Sequence, residues 1–189
     1  MQIQELRFMT TTDPYDLSFQ NWSRCYEWEY VLNVLKSDPF LVTVHNTACG
    51  EAGIHKQFHD KLKAIPGKVI YNSDVRTSLI NTQFDNFHLC NIIEKPIRKY
   101  DCVLCISVLE DFLDYNIVNS TIKNLLEQTE KRLIITCDYP GMPVDWLKTI
   151  LNEPDREFST VNILNGSTSI YPQREFTNLN IILLDIIVG

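Results

Sequence analysis

The chain has 189 residues, 44% of them hydrophobic and 22% charged, which fits one globular domain and excludes collagen-like, low-complexity and wholly disordered classes. Its 17 basic against 24 acidic residues, a net charge of −7, argue against a protein held to nucleic acid by backbone electrostatics. With six glycines in all, a phosphate or cofactor loop must be built from very few of them.

Asn21 to Leu35 carries Trp22, Cys25, Trp28, Leu32 and Leu35 at helical spacing and predicts a helix, so that residues 1–38 read as an N-terminal helical cap. Ser37-Asp38-Pro39 ends it, and the β-branched run Phe40 to His45 predicts a strand that closes on Asn46 to Gly50. Ile54, Phe58, Leu62 and Ile65 set a helix over Ala52 to Ile65, stopped by Pro66-Gly67. Lys68 to Ser73 is a second strand ending on Asp74, and Phe87 to Cys90 a third ending on Asn91.

Tyr100 to Ile106 is a fourth strand, almost wholly apolar as a parallel strand covered on both faces should be. A helix follows from about Asn116 to Glu130, then a fifth strand, Arg132 to Cys137, and a helix from about Val144 to Leu151. Two last strand-like runs, Phe158 to Leu164 and Leu179 to Val188, are of a kind to pair as a hairpin. This alternation predicts a single α/β domain over 1–189, a mostly parallel seven-stranded sheet with helices on both faces and right-handed crossovers. In such a sheet ligands bind at the carboxyl ends of the strands, so the informative residues lie just after each strand.

No apolar stretch approaches the roughly 20 residues of a membrane helix, and the first residues lack a charged and then apolar leader, so a soluble, cytoplasmic protein is expected. Cys25, Cys49, Cys90, Cys102, Cys105 and Cys137 lie mostly in strand-like runs, as buried thiols of a reducing compartment do. Cys102 and Cys105 form a C-x-x-C, yet three residues apart on a strand they point to opposite faces. His55 and His59, four apart on a helix, have no third ligand near them in sequence, so no metal is expected. Asp101, one residue into its strand, reads as structural, at the opposite end from the site.

Read in order, the strand ends are Asn46-Thr-Ala-Cys-Gly50, Asp74, Asn91-Ile92 and Ser107-Val-Leu-Glu110. This series resembles the class I S-adenosylmethionine-dependent methyltransferases, and the segment Tyr100 to Asp111 looks like that family's fourth strand running into a Ser-Val-Leu-Glu helix start. The stretch from Trp22 to Tyr30 is similar to the N-terminal helix of a subset that modifies small molecules and carbohydrates. The resemblance implies the Rossmann-like fold of that family, S-adenosylmethionine as cofactor, and methyl transfer to an oxygen or nitrogen of a small-molecule acceptor, with carbohydrate-related acceptors among the candidates.

It further implies cofactor contacts from Asn46, Ala48 and Gly50 in the first loop, and from Asp74 with Val75 beside it. Asp74 would accept from the ribose hydroxyls, and Asn91 from the adenine amino group. Ile92 and Val108 would flank the adenine, next to Ser107, and Arg24 and Tyr30 would close over the cofactor from the first helix. Asp138 and Tyr139, at the end of the fifth strand, are the general-base candidates.

The chain departs from the family pattern in carrying Asn46 for the usual acid, Ala48 and Ala52 for loop glycines, Asn91 for aspartate and Asp111 for histidine. These departures motivate a second reading, a methyltransferase-like domain without catalysis that serves as a binding or regulatory unit. Gly50 and Gly53 do not supply the G-x-G-x-x-G of a nicotinamide site.

Overall fold

Strands apolar on both faces need a layer on each side, and among the described residues two helices cover each face. The computed structural model describes residues 2–9, 24–50, 52–77, 84–94, 98–139, 141–152 and 180–189. In chain order the elements are β1 (Ile3–Met9), α1 (Arg24–Ser37), β2 (Thr43–Thr47), α2 (Ala52–Lys63), β3 (Val69–Asp74) and β4 (Phe87–Leu89). After them come β5 (Tyr100–Ile106), a 3-10 turn at Leu109–Asp111, α3 (Tyr115–Glu127), β6 (Thr129–Tyr139), α4 (Val144–Ile150) and β7 (Asn180–Val188).

The seven strands form one sheet in the order β1-β7-β6-β5-β2-β3-β4. β7 runs antiparallel to both its neighbours, and the remaining pairs are parallel. The chain moves outward from β2 through β3 to β4, then returns to build β5 and β6 on the other side of β2. The direction of winding therefore reverses between β2 and β5, and a crevice opens at their carboxyl ends.

On one face α1 and α2 set Trp28, Leu32, Leu35, Phe58 and Leu62 against Val44, Ile70, Cys102, Leu104 and Ile134. On the other, α3 and α4 set Val118, Ile122, Leu125 and Leu147 against Val103, Cys105, Leu133, Ile135 and Leu184. Cys102 and Cys105 thus belong to opposite cores, as the strand alternation requires. The five described cysteines that can be assigned are free thiols. Asp101 sits at the amino edge, where its carboxylate accepts the Val42 and Thr43 amide hydrogens at 3.0 and 2.7 Å.

Three expectations change. Residues 1–38 are not a purely helical cap, because Ile3–Met9 is an edge strand paired antiparallel with β7. Its sequence mixes polar with apolar residues around a register shift between Ile3 and Glu5, and Leu6 turns inward to the α3 and α4 core. The last strand finds its antiparallel partners in β6 and β1, and the run Phe158 to Leu164 lies outside the described residues. The α3 helix stops at Glu127, since Thr129 already pairs with Tyr100 at the start of β6.

β7 carries one charge in an otherwise apolar strand, and the fold gives it partners. Asp185 is fully buried beneath α1. It accepts from the Arg132 guanidinium through both its oxygens and from the Tyr30 hydroxyl at 2.6 Å. Tyr30 therefore pins α1 to β6 and β7, and burial together with Asp185 pushes its phenol above the usual value. A buried carboxylate is tolerated when paired and hydrogen-bonded, whereas removal of one partner strands the other charge. Asp185→Ala is expected to cost about 3–5 kcal/mol in urea unfolding by leaving Arg132 unpaired. Tyr30→Phe removes one hydrogen bond to a charged group and is expected to cost about 1–3 kcal/mol.

Candidate functional site

The site begins where β2 ends. Ala48 takes a left-handed backbone conformation with φ 46°, which turns the chain out of the sheet, and the Cys49 amide donates to the Ser73 carbonyl at 2.9 Å. Gly50 follows with φ 71°, and its amide donates to the Asp74 carboxylate at 3.0 Å. A side chain at Gly50 is excluded twice, by φ and by the His55 ring, whose Cδ2 would lie 2.6 Å from an added Cβ. The loop is thereby clamped to the end of β3 before α2 begins.

Asp74 is buried at the end of β3. Its second oxygen accepts from the Arg76 amide at 3.1 Å, and its carbonyl accepts from the Cys90 amide at 3.0 Å. Beyond β4, Asn91 accepts from the Ile93 amide through Oδ1 at 3.2 Å, and Asn124 of α3 donates to the Ile93 carbonyl at 2.7 Å. His45 borders a small void with Cys90 and Asn91. Its Nδ1 donates to Gln128 at 2.6 Å and its Nε2 accepts from Ser73 at 2.9 Å, while burial pushes its pKa down to about 4. It is a neutral structural histidine.

At the end of β5, Ser107 repeats the left-handed turn with φ 49°. Its amide donates to the Thr136 carbonyl at 2.9 Å and its hydroxyl to Glu27 at 2.6 Å. Glu27 comes from α1, is fully buried, and also accepts from the Thr136 hydroxyl. At the end of β6 the Asp138 amide donates to Glu110 at 3.2 Å. Burial, reinforced by the charges of Asp138 and Glu27, pushes the Glu110 carboxyl up to about 8.

These strand ends surround one cavity of about 900 Å³, at the upper end of the roughly 300–1,000 Å³ usual for ligand sites. Eight sequence-predicted residues line it: Ala48, Gly50, Asp74, Val75, Asn91, Ile92, Ser107 and Val108. Asn46 does not; it is buried and its Nδ2 donates to Asn72 at 3.1 Å, across the parallel register of β2 and β3. Tyr30 is occupied with Asp185, and Asp138 lies beside Glu110 and is not part of the lining. The side chains of Arg24 and Tyr139 lie outside the described residues.

Sequence reasoning missed His55 as a wall residue and Glu27 as the anchor behind Ser107. The signal for Glu27 was its place between Arg24 and Tyr30 at helical spacing; the partner was invisible. His55 and His59 diverge, His55 to the cavity and His59 edge-on to Phe84 at 4.5 Å, and no metal-holding group occurs among the described residues.

No family model and no curated protein matches the sequence. Solved structures match its fold. Magnesium protoporphyrin IX methyltransferase (ChlM) from Synechocystis PCC 6803, with bound SAM, aligns at 20% identity over 84% of this chain and 77% of that one, with a TM-score of 0.56. The N-methyltransferase NodS from Bradyrhizobium japonicum WM9, in complex with S-adenosyl-L-homocysteine, aligns at 13% identity over 94% and 92%, also with a TM-score of 0.56. A S-adenosylmethionine-dependent methyltransferase from Clostridium acetobutylicum ATCC 824 aligns at 10% identity over 89% and 93%, with a TM-score of 0.57. The likeness is one of fold: the chain has the Rossmann-like architecture of class I methyltransferases.

Two measurements test this geometry. Ala48→Gly removes the left-handed strain of a Cβ and is expected to stabilise the protein by about 1 kcal/mol, read as a rise in urea midpoint. Glu110 keeps its proton in the folded state, while the unfolded chain releases it near the ordinary value of about 4.3. Its contribution to stability therefore falls as pH rises from about 4 to about 8 and is level above that. Glu110→Gln is expected to flatten this part of the slope and to be more stable than the parent at about pH 9.

Proposed function

We propose that the protein is an S-adenosylmethionine-dependent methyltransferase acting on an oxygen or nitrogen of a small acceptor. The observation that carries this reading is Asp74, a buried carboxylate at the end of β3 that lines the switch-point cavity. Each carboxylate oxygen has already accepted one backbone amide hydrogen and retains a second acceptor direction. That geometry suits two neighbouring ribose hydroxyls.

The remaining walls fit the other parts of the cofactor. Ile92 and Val108 offer apolar surface for a purine. Asn91, with Oδ1 turned to Ile93, presents its amide at the rim and keeps a second lone pair for an exocyclic amine. The positive-φ turns at Ala48, Gly50 and Ser107 bring backbone rather than side chain to the crevice. The group, when bound, supplies a methyl already activated by its sulfonium.

What the chain must do is therefore mostly positioning, with a proton acceptor needed only where the acceptor atom loses a proton. Asp138, at the end of β6 and not among the lining residues, is the proposed base for an acceptor that extends from the cavity to that strand end. Glu110, protonated at neutral pH, leaves that pair of carboxyls one charge instead of two. Glu27 and Tyr30, which carry the likeness to carbohydrate-modifying relatives, serve the packing of α1, so the nature of the acceptor rests on other residues.

Calorimetry with S-adenosylmethionine and S-adenosylhomocysteine tests the reading directly. Binding is expected, and no heat or thermal shift at millimolar ligand overturns it. Asp74→Ala is expected to weaken binding by about tenfold or more; unchanged affinity would place the ribose elsewhere. An acceptor screen that follows release of S-adenosylhomocysteine, amino sugars included, separates an enzyme from the second reading. Binding without turnover across that screen marks a regulatory domain.

A further inference from the structure

Gly50 is kept glycine by a neighbour on the same chain. The space its Cβ would need is filled by the imidazole edge of His55, with Cδ2 at 2.6 Å and Nε2 at 2.7 Å from the ideal position. His55 stands on the first turn of α2 and lines the cavity beside Ala48 and Gly50. Its ring is buttressed from behind. Trp28 meets it edge-on at 5.7 Å and is itself stacked on Phe58 at 5.1 Å, both of them buried.

For a ligand seated by its diol on Asp74, with its base against Ile92 and Val108, the lining residues left for its remaining end include Ala48, Gly50, His55 and Ser107. In S-adenosylmethionine that end is an amino acid, whose carboxylate needs a hydrogen-bond donor. Among the described lining residues the basic side chains are His55 and Arg76, and Arg76 lies alongside Asp74, with Nε 3.9 Å from the carboxylate. Asn46 is turned away to Asn72.

We propose that His55 is a cofactor-contacting residue that receives the carboxylate of the methionine end, so that affinity for that end is set from α2. The inference rests on the methyltransferase reading. A ring held by Trp28 and Gly50 enters such a contact with little rotamer freedom left to lose. The glycine of the loop then serves the ligand at second hand, by making room for the imidazole.

The test compares two ligands, S-adenosylhomocysteine and 5′-methylthioadenosine, which shares the nucleoside and lacks the amino-acid end. His55→Phe keeps a ring against Trp28 and Gly50 without its polar atoms, and His55→Gln keeps a donor without the ring. His55→Phe is expected to lose about tenfold in affinity for S-adenosylhomocysteine and to bind methylthioadenosine within about twofold of the parent. His55→Gln is expected to retain part of the preference.

Equal loss for both ligands would show that His55 only seats the loop, and no loss for either would show that it stands clear of the ligand; both overturn the proposal. The unmodified protein supplies a check independent of folding, since it should prefer S-adenosylhomocysteine to its decarboxylated analogue by about tenfold, and equal affinity also overturns the proposal. Failure of the unmodified protein to bind methylthioadenosine or S-adenosylhomocysteine at all overturns the methyltransferase reading itself, and this inference with it.

Discussion

Asp74 holds three strand ends together. Its carboxylate takes the Gly50 amide from the loop after β2 and the Arg76 amide from the turn after β3, while its carbonyl takes the Cys90 amide at the end of β4. The crevice at the switch point has its depth because these chains are tied at one residue before any ligand arrives. A backbone amide left unpaired in such a place costs about 1–3 kcal/mol, so the carboxylate has a structural role whatever it binds. The same oxygens that order the loop face the cavity, which couples the shape of the site to its chemistry.

Opposite Asp74, the wall made by β5 depends on a second buried carboxylate. Ser107 and Ala48 are non-glycine residues at positive φ, one at the end of each of the two strands that flank the switch point. Such conformations cost about 1–3 kcal/mol and persist where the surroundings over-determine them. For Ser107 the surroundings are Glu27 and Thr136, which hold both its hydroxyl and its amide. Helix α1 therefore covers a core with one end and stiffens the site with the other.

The charge pattern follows the same division. Asp185 is balanced by Arg132 and stabilises the junction of α1 with β6 and β7, far down the strands. At the carboxyl edge Glu27 accepts from Ser107 and Thr136, Glu110 accepts from the Asp138 amide, and burial makes Glu110 retain its proton.

Periodicity in the sequence was enough to determine the alternation of strands and helices, the mostly parallel sheet and the helices on both faces, and the strand ends together with the family resemblance pointed to eight residues that line the cavity after β2, β3, β4 and β5. They suffice there because apolar, β-branched runs mark the buried strands, and the turn residues that follow them mark where the chain leaves the sheet. The tertiary structure alone decided which polar side chains reach the cavity. Asn46 is lost to it because parallel register sets it against Asn72, and Tyr30 because β7 brings Asp185 beneath α1. His55 is gained, and Glu27 anchors Ser107 from behind, because helix docking, which depends on partners distant in sequence, turns one toward Gly50 and the other toward Ser107. The edge strand β1 and the charge in β7 escape a local reading for the same reason: a short mixed segment and an isolated aspartate acquire meaning only from the neighbour each is paired with.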